Sequence, residues 1–108
     1  MRYQVRLTDD AAIGLEEIYS HIARNDSPNN AESVLGRIET VLDSLARQPK
    51  RGACPPELLE LGIREYREVF FKPYRIIYRL IGRSVYVFVI ADGRRDMQAL
   101  LRRRLLGA

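Results

Sequence analysis

Two neighbouring β-type segments in the last third of the chain place the strongest limit on its fold. Residues 74–81 and 85–91 are rich in aromatic and β-branched side chains, and Gly82 between them permits a hairpin turn. The second segment is apolar on both faces, which is typical of a central strand that other elements cover. The sequence therefore predicts a β-hairpin whose second strand lies inside a sheet.

The strand predicted for residues 74–81 divides its side chains between two faces. One face carries Tyr74, Ile76, Tyr78 and Leu80, and the other carries Arg75, Ile77, Arg79 and Ile81. The second strand leads into the sequence Asp92-Gly93-Arg94-Arg95-Asp96 and an arginine-rich tail. We therefore expect fixed arginine side chains beside a rigid sheet.

The N-terminal half of the chain predicts one strand and two helices. Tyr3, Val5 and Leu7 alternate with polar residues, as in an edge strand with one buried face. Thr8 can cap a helix that runs to about Arg24, and Ser27 followed by Pro28 can start a second helix, which ends at Gln48-Pro49. The apolar stripes are Ala12, Leu15, Ile18, Tyr19 and Ile22 in the first helix and Ala31, Val34, Leu35, Ile38, Val41, Leu42 and Leu45 in the second. The short break between them predicts an antiparallel helical hairpin.

The remaining segments complete a single small fold. We expect residues 50–56 to be a connecting loop, residues 63–71 to form a strand, and a short helix capped by Asp96 to follow Gly93. The element order is then β-α-α-β-β-β-α. This order predicts one α+β domain spanning residues 1–108, in which the helical hairpin packs on a small, mostly antiparallel sheet.

Charge is distributed unevenly along the chain. Residues 62–108 contain 11 Lys/Arg and 4 Asp/Glu, a net charge of +7, whereas residues 1–61 carry a net charge of −3. Such polarity indicates a nucleic-acid or acidic partner. From charge alone, a solvated surface with salt bridges between the two halves is the slightly better interpretation.

Several classes of protein are excluded by composition. The single cysteine, Cys54, cannot form an internal disulfide, and with one histidine in the chain a Cys/His zinc site is not available. No apolar run approaches the roughly 20 residues that span a bilayer, and the N-terminus lacks a secretory signal. We therefore expect a cytoplasmic protein that needs no metal or other cofactor and does not bind membranes.

Five short segments, taken in order, resemble the RelE/ParE superfamily of type II toxin–antitoxin toxins. They are the helix-one pattern of residues 12–22, the Ser27-Pro28 break, the exit at residues 45–49, the sequence Pro73-Tyr74-Arg75-Ile76-Ile77-Tyr78 and the sequence of residues 89–96. Each segment alone is weak, but their order and spacing together are fairly specific and cover nearly the whole chain.

The resemblance implies a toxin that stops growth and that a cognate antitoxin wraps and neutralises, so the two form a hetero-oligomer. RelE-like members of the superfamily cleave mRNA on the ribosome, and ParE-like members poison DNA gyrase. A binding module whose toxicity has decayed is a third possibility.

The resemblance also assigns roles to arginines. Arg75 and Arg95 match the two arginines that RelE-like nucleases place around the scissile phosphate, and Arg67 falls near one of their basic positions. Arg94 lies beside Arg95 in the same motif. These four residues are the candidate catalytic or target-contacting groups.

One position departs from the nuclease pattern. RelE-like nucleases carry an aromatic acid/base on the last helix, where this chain has Leu101, which cannot exchange a proton. Tyr66, Tyr74 or Glu68 are possible substitutes, although core or surface roles fit each better, and His21 is better suited to the hairpin surface. The missing acid/base and the long hairpin favour the ParE-like branch.

Two further surfaces are candidates for binding. Arg102, Arg103 and Arg104 would contact gyrase or its bound DNA, although a solvated turn favoured by the helix dipole explains the cluster nearly as well. An apolar groove between the hairpin and the sheet would hold the antitoxin, with Ile18, Tyr19 and Ile22 as contacts or, alternatively, as buried core.

Overall fold

A computed structural model describes residues 2–107 as a four-stranded sheet with helices on both faces. The elements are β1 (Gln4–Leu7), α1 (Asp9–Asn25), α2 (Pro28–Arg47), α3 (Pro56–Leu59), β2 (Tyr66–Phe71), β3 (Tyr74–Ile81), β4 (Ser84–Asp92) and α4 (Met97–Leu105). The predicted order is confirmed, with the addition of the one-turn helix α3.

The sheet has the strand order β1-β4-β3-β2. β1 runs parallel to β4, and the pairs β3–β4 and β2–β3 are antiparallel. The predictions of a central strand at residues 85–91, an edge strand at the N-terminus and an α+β fold are therefore confirmed. Gly82 has φ 61°, as the turn between β3 and β4 requires.

The helix starts follow from capping side chains. The hydroxyls of Thr8 and Ser27 accept hydrogen bonds from the backbone amides three residues later, at 3.2 and 3.0 Å. The Asp96 carboxylate accepts in the same way from the amide of Ala99 at 3.1 Å. These bonds satisfy amides that have no partner inside the helix, which explains why α1, α2 and α4 begin where the sequence predicts.

Two apolar layers hold the sheet between its helices. The hairpin α1–α2 covers one face, which we call the hairpin face; its core is Ala11, Ile38, Leu42, Leu45, Val69, Ile76, Tyr78, Val85, Val87 and Ile90. Helices α3 and α4 cover part of the other face, which we call the tail face; its core is Leu58, Tyr66, Ile77, Val89, Ala91, Met97, Leu100 and Leu101. A register shift beside Ile77 leaves Phe88 unpaired and brings it to the tail face.

The segment between α2 and β2 differs from its prediction. The helix α3 begins at Pro56, the last residue of the predicted loop, and the strand predicted from residue 63 starts only at Tyr66. Gly62 has φ 76°, and the amide of Ile63 donates to the carbonyl of Leu58 at 3.0 Å. The chain therefore closes a turn behind α3 before it can extend into β2.

Candidate functional site

A groove of about 640 Å³ runs between α1 and the end of β4. Its floor is narrow because Gly14 of α1 packs directly on the backbone of β4, where a Cβ atom would overlap the carbonyl oxygen of Ile90. The lining residues are Ile13, Gly14, Glu16, Glu17, Ile18, Ser20, His21 and Arg24 from α1, with Tyr74, Ile90, Ala91, Asp92, Arg94 and Arg95 opposite. The groove therefore combines an apolar floor with charges of both signs on its walls.

Arg94 and Arg95 differ in their freedom to bind a partner. The Arg94 guanidinium is paired with the Asp92 carboxylate at 2.5 Å and holds the pKa of Asp92 below its ordinary value. Arg95 is exposed, and within residues 2–107 its side chain makes no hydrogen bond or ion pair. Arg95 on this wall, like the exposed Arg24 on the α1 wall, is thus available to a partner without first breaking a bond within residues 2–107.

Arg75 lies in a different environment, on the tail face and 9% exposed. Its terminal nitrogens donate to both carboxylate oxygens of Glu57 at 2.7 and 2.8 Å. Its Nε donates to Glu68 at 2.8 Å. The guanidinium therefore ties α3 to β2 and β3, and its donors on these sides are already occupied.

The two carboxylates around Arg75 respond to it differently. The hydrogen bonds from Arg75 lower the pKa of Glu57, which is 23% exposed. Burial raises the pKa of Glu68, which is 6% exposed, and this outweighs the attraction of Arg75. The Arg75 pKa is itself raised, chiefly by the bonds to Glu57, so the arginine stays charged at every ordinary pH.

Arg67 also forms bonds within the protein. Its guanidinium donates to the backbone carbonyls of Lys50 and Gly52 at 3.1 and 2.7 Å. The hydroxyl of Tyr78 accepts from the amide of Gly52 and donates to the carbonyl of Pro49. Together these bonds fasten the loop of residues 49–53 onto the sheet beside β2, which gives Arg67 a structural role in this chain.

The C-terminal arginines surround the end of α4. Met97, Leu100 and Leu101 are buried on the tail face, and Leu101 is 1% exposed. Arg102, Arg103 and Arg104 point away from this core and are exposed. Arg104 lies 3.5 Å from Asp10 at the start of α1, whereas Arg102 and Arg103 have no side-chain partner in the part of the chain that the structure describes.

The three residues predicted for antitoxin binding lie in different surroundings. Ile18 lines the groove and also packs against the hairpin-face core. Tyr19 turns towards α2, and its hydroxyl donates to Glu32 at 3.0 Å, a bond that raises the pKa of Tyr19. Ile22 is half-buried and does not line the groove.

Of the possible acid/base substitutes, Tyr74 lies at the groove that Arg94 and Arg95 line, whereas Tyr66 and Glu68 do not. Tyr66 is 8% exposed and packs edge-on against Phe88, with ring centres 5.6 Å apart. Tyr74 lines the groove, but burial raises its pKa and its ring stacks on Phe71. Glu68 is held by Arg75.

The single histidine and the single cysteine are in ordinary surroundings. His21 lies on the groove wall, where Nδ1 is 3.2 Å from the side-chain nitrogen of Asn25. The half-buried Cys54 thiol faces the carbonyl of Arg64 at 3.7 Å. Among residues 2–107 no group of three His, Cys, Asp or Glu side chains is placed to bind a metal ion. Over the same residues, no helix has the length and apolar character needed to cross a bilayer.

Two residues of the site, Glu57 and Ile13, were not predicted from the sequence. Glu57 carries no local signal, because it lies in a proline-rich segment and meets Arg75 only through the tertiary fold. Ile13 is 48% exposed at the groove, and its position just outside the apolar stripe of α1 is the signal that marks it.

Solved structures with this fold belong to toxin–antitoxin systems. The chromosomal ParDE system from P. aeruginosa matches with a TM-score of 0.70 and 20% identity, covering 84% of this chain and 96% of that one. The toxin–antitoxin complex RelBE2 from Mycobacterium tuberculosis matches with a TM-score of 0.58 and 21% identity, covering 85% of this chain and 99% of that one. An arginine-to-alanine double mutant of E. coli toxin RelE in the free state matches with a TM-score of 0.62 and 11% identity, covering 93% of each chain. The fold is therefore that of the RelE/ParE superfamily.

Sequence comparison narrows this class to one family. Residues 5–97 match the family described as the ParE toxin of the type II toxin–antitoxin system parDE. Toxin ParE3 from Caulobacter vibrioides is 31% identical over 87 residues, which are 81% of this chain and 83% of the relative. The chain belongs to the ParE toxin family and is a toxin of a type II toxin–antitoxin system.

Proposed function

We propose that this toxin arrests growth in the cytoplasm by binding DNA gyrase and trapping it on DNA. Membership of the ParE family supports this target. The observation that carries the choice over mRNA cleavage is the state of Arg75, whose guanidinium is already bound by Glu57 and Glu68.

Cleavage of mRNA needs arginine donors that face the phosphate and a group that transfers a proton. An arginine that stabilises charge on a phosphoryl group must turn its donors towards the substrate, and here those donors face two carboxylates. A phosphate approaching Arg75 would also meet the negative charge of Glu57 at once. The position that the resemblance assigns to the acid/base is Leu101, which is buried in the tail-face core and cannot exchange a proton.

Target binding requires only exposed and complementary charge. Arg95 is free at the groove, and Arg102 and Arg103 are exposed on α4. Arg94 is available at the cost of its exposed pair with Asp92, which is weak because solvent screens it. These arginines form the proposed contact with gyrase or its bound DNA, so binding should weaken as salt increases.

The groove between α1 and β4 is the proposed antitoxin site. Ile13 and Ile18 offer apolar contacts, while Glu17 and Arg95 supply charges of both signs along its walls. A segment with apolar side chains and charges of both signs matches such a surface. An antitoxin bound there would cover Arg95, so neutralisation and target binding would compete for one residue.

A gyrase inhibition assay with purified proteins tests the target contact. We expect Arg95→Ala to raise the toxin concentration needed for half-inhibition on the order of tenfold, because it removes an unpaired cation. Arg47→Ala is the matched control, since Arg47 is exposed at the end of α2. Equal potency of Arg95→Ala and the control would reject this contact.

Titration with the cognate antitoxin tests the groove separately. Ile13→Glu should weaken the complex on the order of tenfold or more without lowering the unfolding temperature, because Ile13 is half exposed. Leu59→Glu is the control, since Leu59 is 41% exposed on α3 and is not part of the groove lining. The groove is not the antitoxin site if both variants bind as tightly as the parent chain.

A further inference from the structure

A row of alternating arginine and tyrosine residues crosses the sheet on its tail face. Arg6 of β1 pairs with Tyr86 of β4, Tyr86 pairs with Arg79 of β3, and Arg79 pairs with Tyr66 of β2. Neighbouring strands are about 4.8 Å apart, so Arg6 and Arg79 are separated by roughly 10 Å with Tyr86 between them. We call these four residues the arginine–tyrosine row.

Strand alternation places the whole row on one face. Val5, Val85 and Tyr78 pack in the hairpin-face layer, so the residues that follow them in sequence point the other way. Tyr66 belongs to the tail-face core.

Helix α4 leaves this end of the tail face open. Its buried residues pack with Val89 and Ala91, further along β4 than the row. Arg6 is exposed, and Arg79 and Tyr86 are half-exposed. Beyond Arg79 on the same face, Ile81 is 46% exposed. A ligand can therefore reach Arg6, Tyr86 and Arg79 without moving a helix, whereas Tyr66 is 8% exposed and supports Arg79 from below.

The row carries positive charge on a fixed support. Within residues 2–107 the guanidinium of Arg6 bonds only to the side chain of Gln4, and that of Arg79 makes no hydrogen bond or ion pair. Arg79 instead lies over the ring of Tyr66 at 5.9 Å, and that ring is packed edge-on against Phe88. On the side of the row away from α4, the flanking positions on this face are Gln4, Ser84 and Ile81, none of which is acidic. On the other side Glu68 follows Tyr66 on β2, but it is 6% exposed and paired with Arg75.

We propose that the arginine–tyrosine row binds the phosphodiester backbone of nucleic acid. Arginine donors suit phosphate oxygens, and an aromatic ring between two arginines can stack on a base or sugar. An acidic protein segment would satisfy the charges but leave the ring of Tyr86 unused. The site is distinct from Arg95, because Tyr86 and Asp92 are six residues apart on one strand, a separation of roughly 20 Å.

Fluorescence anisotropy with the purified full chain tests this proposal. The probes are labelled single-stranded DNA, duplex DNA and single-stranded RNA of equal length, which identify the form bound. The double variant Arg6→Gln/Arg79→Gln should weaken binding at least tenfold. It should also reduce the slope of log affinity against log salt by about 1.8 for duplex or about 1.4 for single strands, as expected for two lost phosphate contacts.

The control removes the same charge from the other face. Arg37→Gln/Arg47→Gln changes two exposed arginines of α2 and should leave the salt slope within error of the parent chain. The proposal fails if none of the three probes binds, or if both double variants weaken binding equally.

Two further variants distinguish nucleic-acid binding from a folding defect and from binding of any acidic polymer. Arg6→Lys/Arg79→Lys should keep the salt slope, whereas an equal loss in the Lys and Gln variants would show a structural role. Tyr86→Ser should weaken oligonucleotide binding without changing the affinity for polyglutamate. If polyglutamate binds as tightly as the oligonucleotides and Tyr86→Ser has no effect, the row binds acidic protein instead. The assay contains no gyrase, so its outcome is independent of the proposed target.

Discussion

Arg75 and Glu57 form a bidentate ion pair, in which each terminal nitrogen of the arginine donates to one carboxylate oxygen, at 2.7 and 2.8 Å. The two residues are 18 positions apart and lie on different elements, so the pair fixes α3 against the sheet. Arg75, which the resemblance to RelE-like nucleases would assign to phosphate chemistry, is thereby held in a structural pair.

The two carboxylates around Arg75 should differ in their effect on stability. Glu57→Gln should lower the free energy of unfolding by about 1.5–3 kcal/mol, because it removes charge-assisted hydrogen bonds. Glu68→Gln should cost less than about 1 kcal/mol, since burial of its charge already opposes folding. Urea unfolding of both variants measures the difference. A larger loss of unfolding free energy in Glu68→Gln would show that Glu68, and not Glu57, is the more stabilising partner of Arg75.

The two motif arginines should separate in the same measurement. Arg75→Ala leaves Glu57 and Glu68 without their cation and should cost about 3–5 kcal/mol. Arg95→Ala should change stability by less than about 0.5 kcal/mol, because the side chain is exposed and unpaired within residues 2–107. Loss of toxicity in Arg75→Ala therefore has to be compared with its folded fraction. Equal stability of the two variants would show that the ion pairs of Arg75 with Glu57 and Glu68 do not stabilise the fold.

Stability should depend on pH through carboxylates of opposite behaviour. Glu57 and Asp92 have pKa values lowered by their arginines, so they stabilise the fold above their ordinary values of 4.5 and 3.8 and lose this as pH falls through the folded values. Glu68 has a raised pKa, so its charge opposes folding near neutrality and this opposition is relieved on acidification.

We therefore expect stability to hold or rise slightly from about pH 7 to about pH 5 and to fall below about pH 4.5. Thermal unfolding across this range measures the profile. Glu68→Gln should remove any rise, and Glu57→Gln should flatten the fall. A fall that is unchanged in Glu57→Gln would show that its pair with Arg75 does not contribute.

Two helical glycines give a matched pair of substitutions. Gly14→Ala should destabilise by about 1–3 kcal/mol, because the new methyl group overlaps the backbone of β4. Gly36→Ala should stabilise by about 0.5–1 kcal/mol, since no atom of residues 2–107 outside its own helix turn lies within 4 Å of its Cβ position and alanine favours the helix. Denaturation midpoints compare the two. If both variants were stabilised, α1 would not contact β4 as closely as described.

Periodicity and capping residues predicted the regular elements. Thr8, Ser27 and Asp96 mark the starts of three helices because a cap is a local interaction that sequence alone can reveal. The apolar run from Val85 to Ile90 likewise revealed the central strand, since a strand covered on both faces has few polar residues.

Tertiary pairing limited the prediction of the site. The motif identified Arg75, but its state depends on Glu57, which α3 brings to the tail face. One turn of helix is too short to show a period, so α3 had no signal. The structural role of Arg67 was likewise hidden from the sequence, because its carbonyl partners lie 15 and 17 residues away.

Exposing two targets to the same purified toxin tests the proposed gyrase mechanism directly. One reaction contains DNA gyrase with supercoiled and relaxed plasmid, and the other contains translating ribosomes with a defined mRNA. We predict trapped gyrase–DNA cleavage complexes or lost supercoiling activity, with the mRNA intact and with the effect abolished by the cognate antitoxin. Unchanged gyrase together with newly cut ribosome-bound mRNA would contradict the gyrase mechanism.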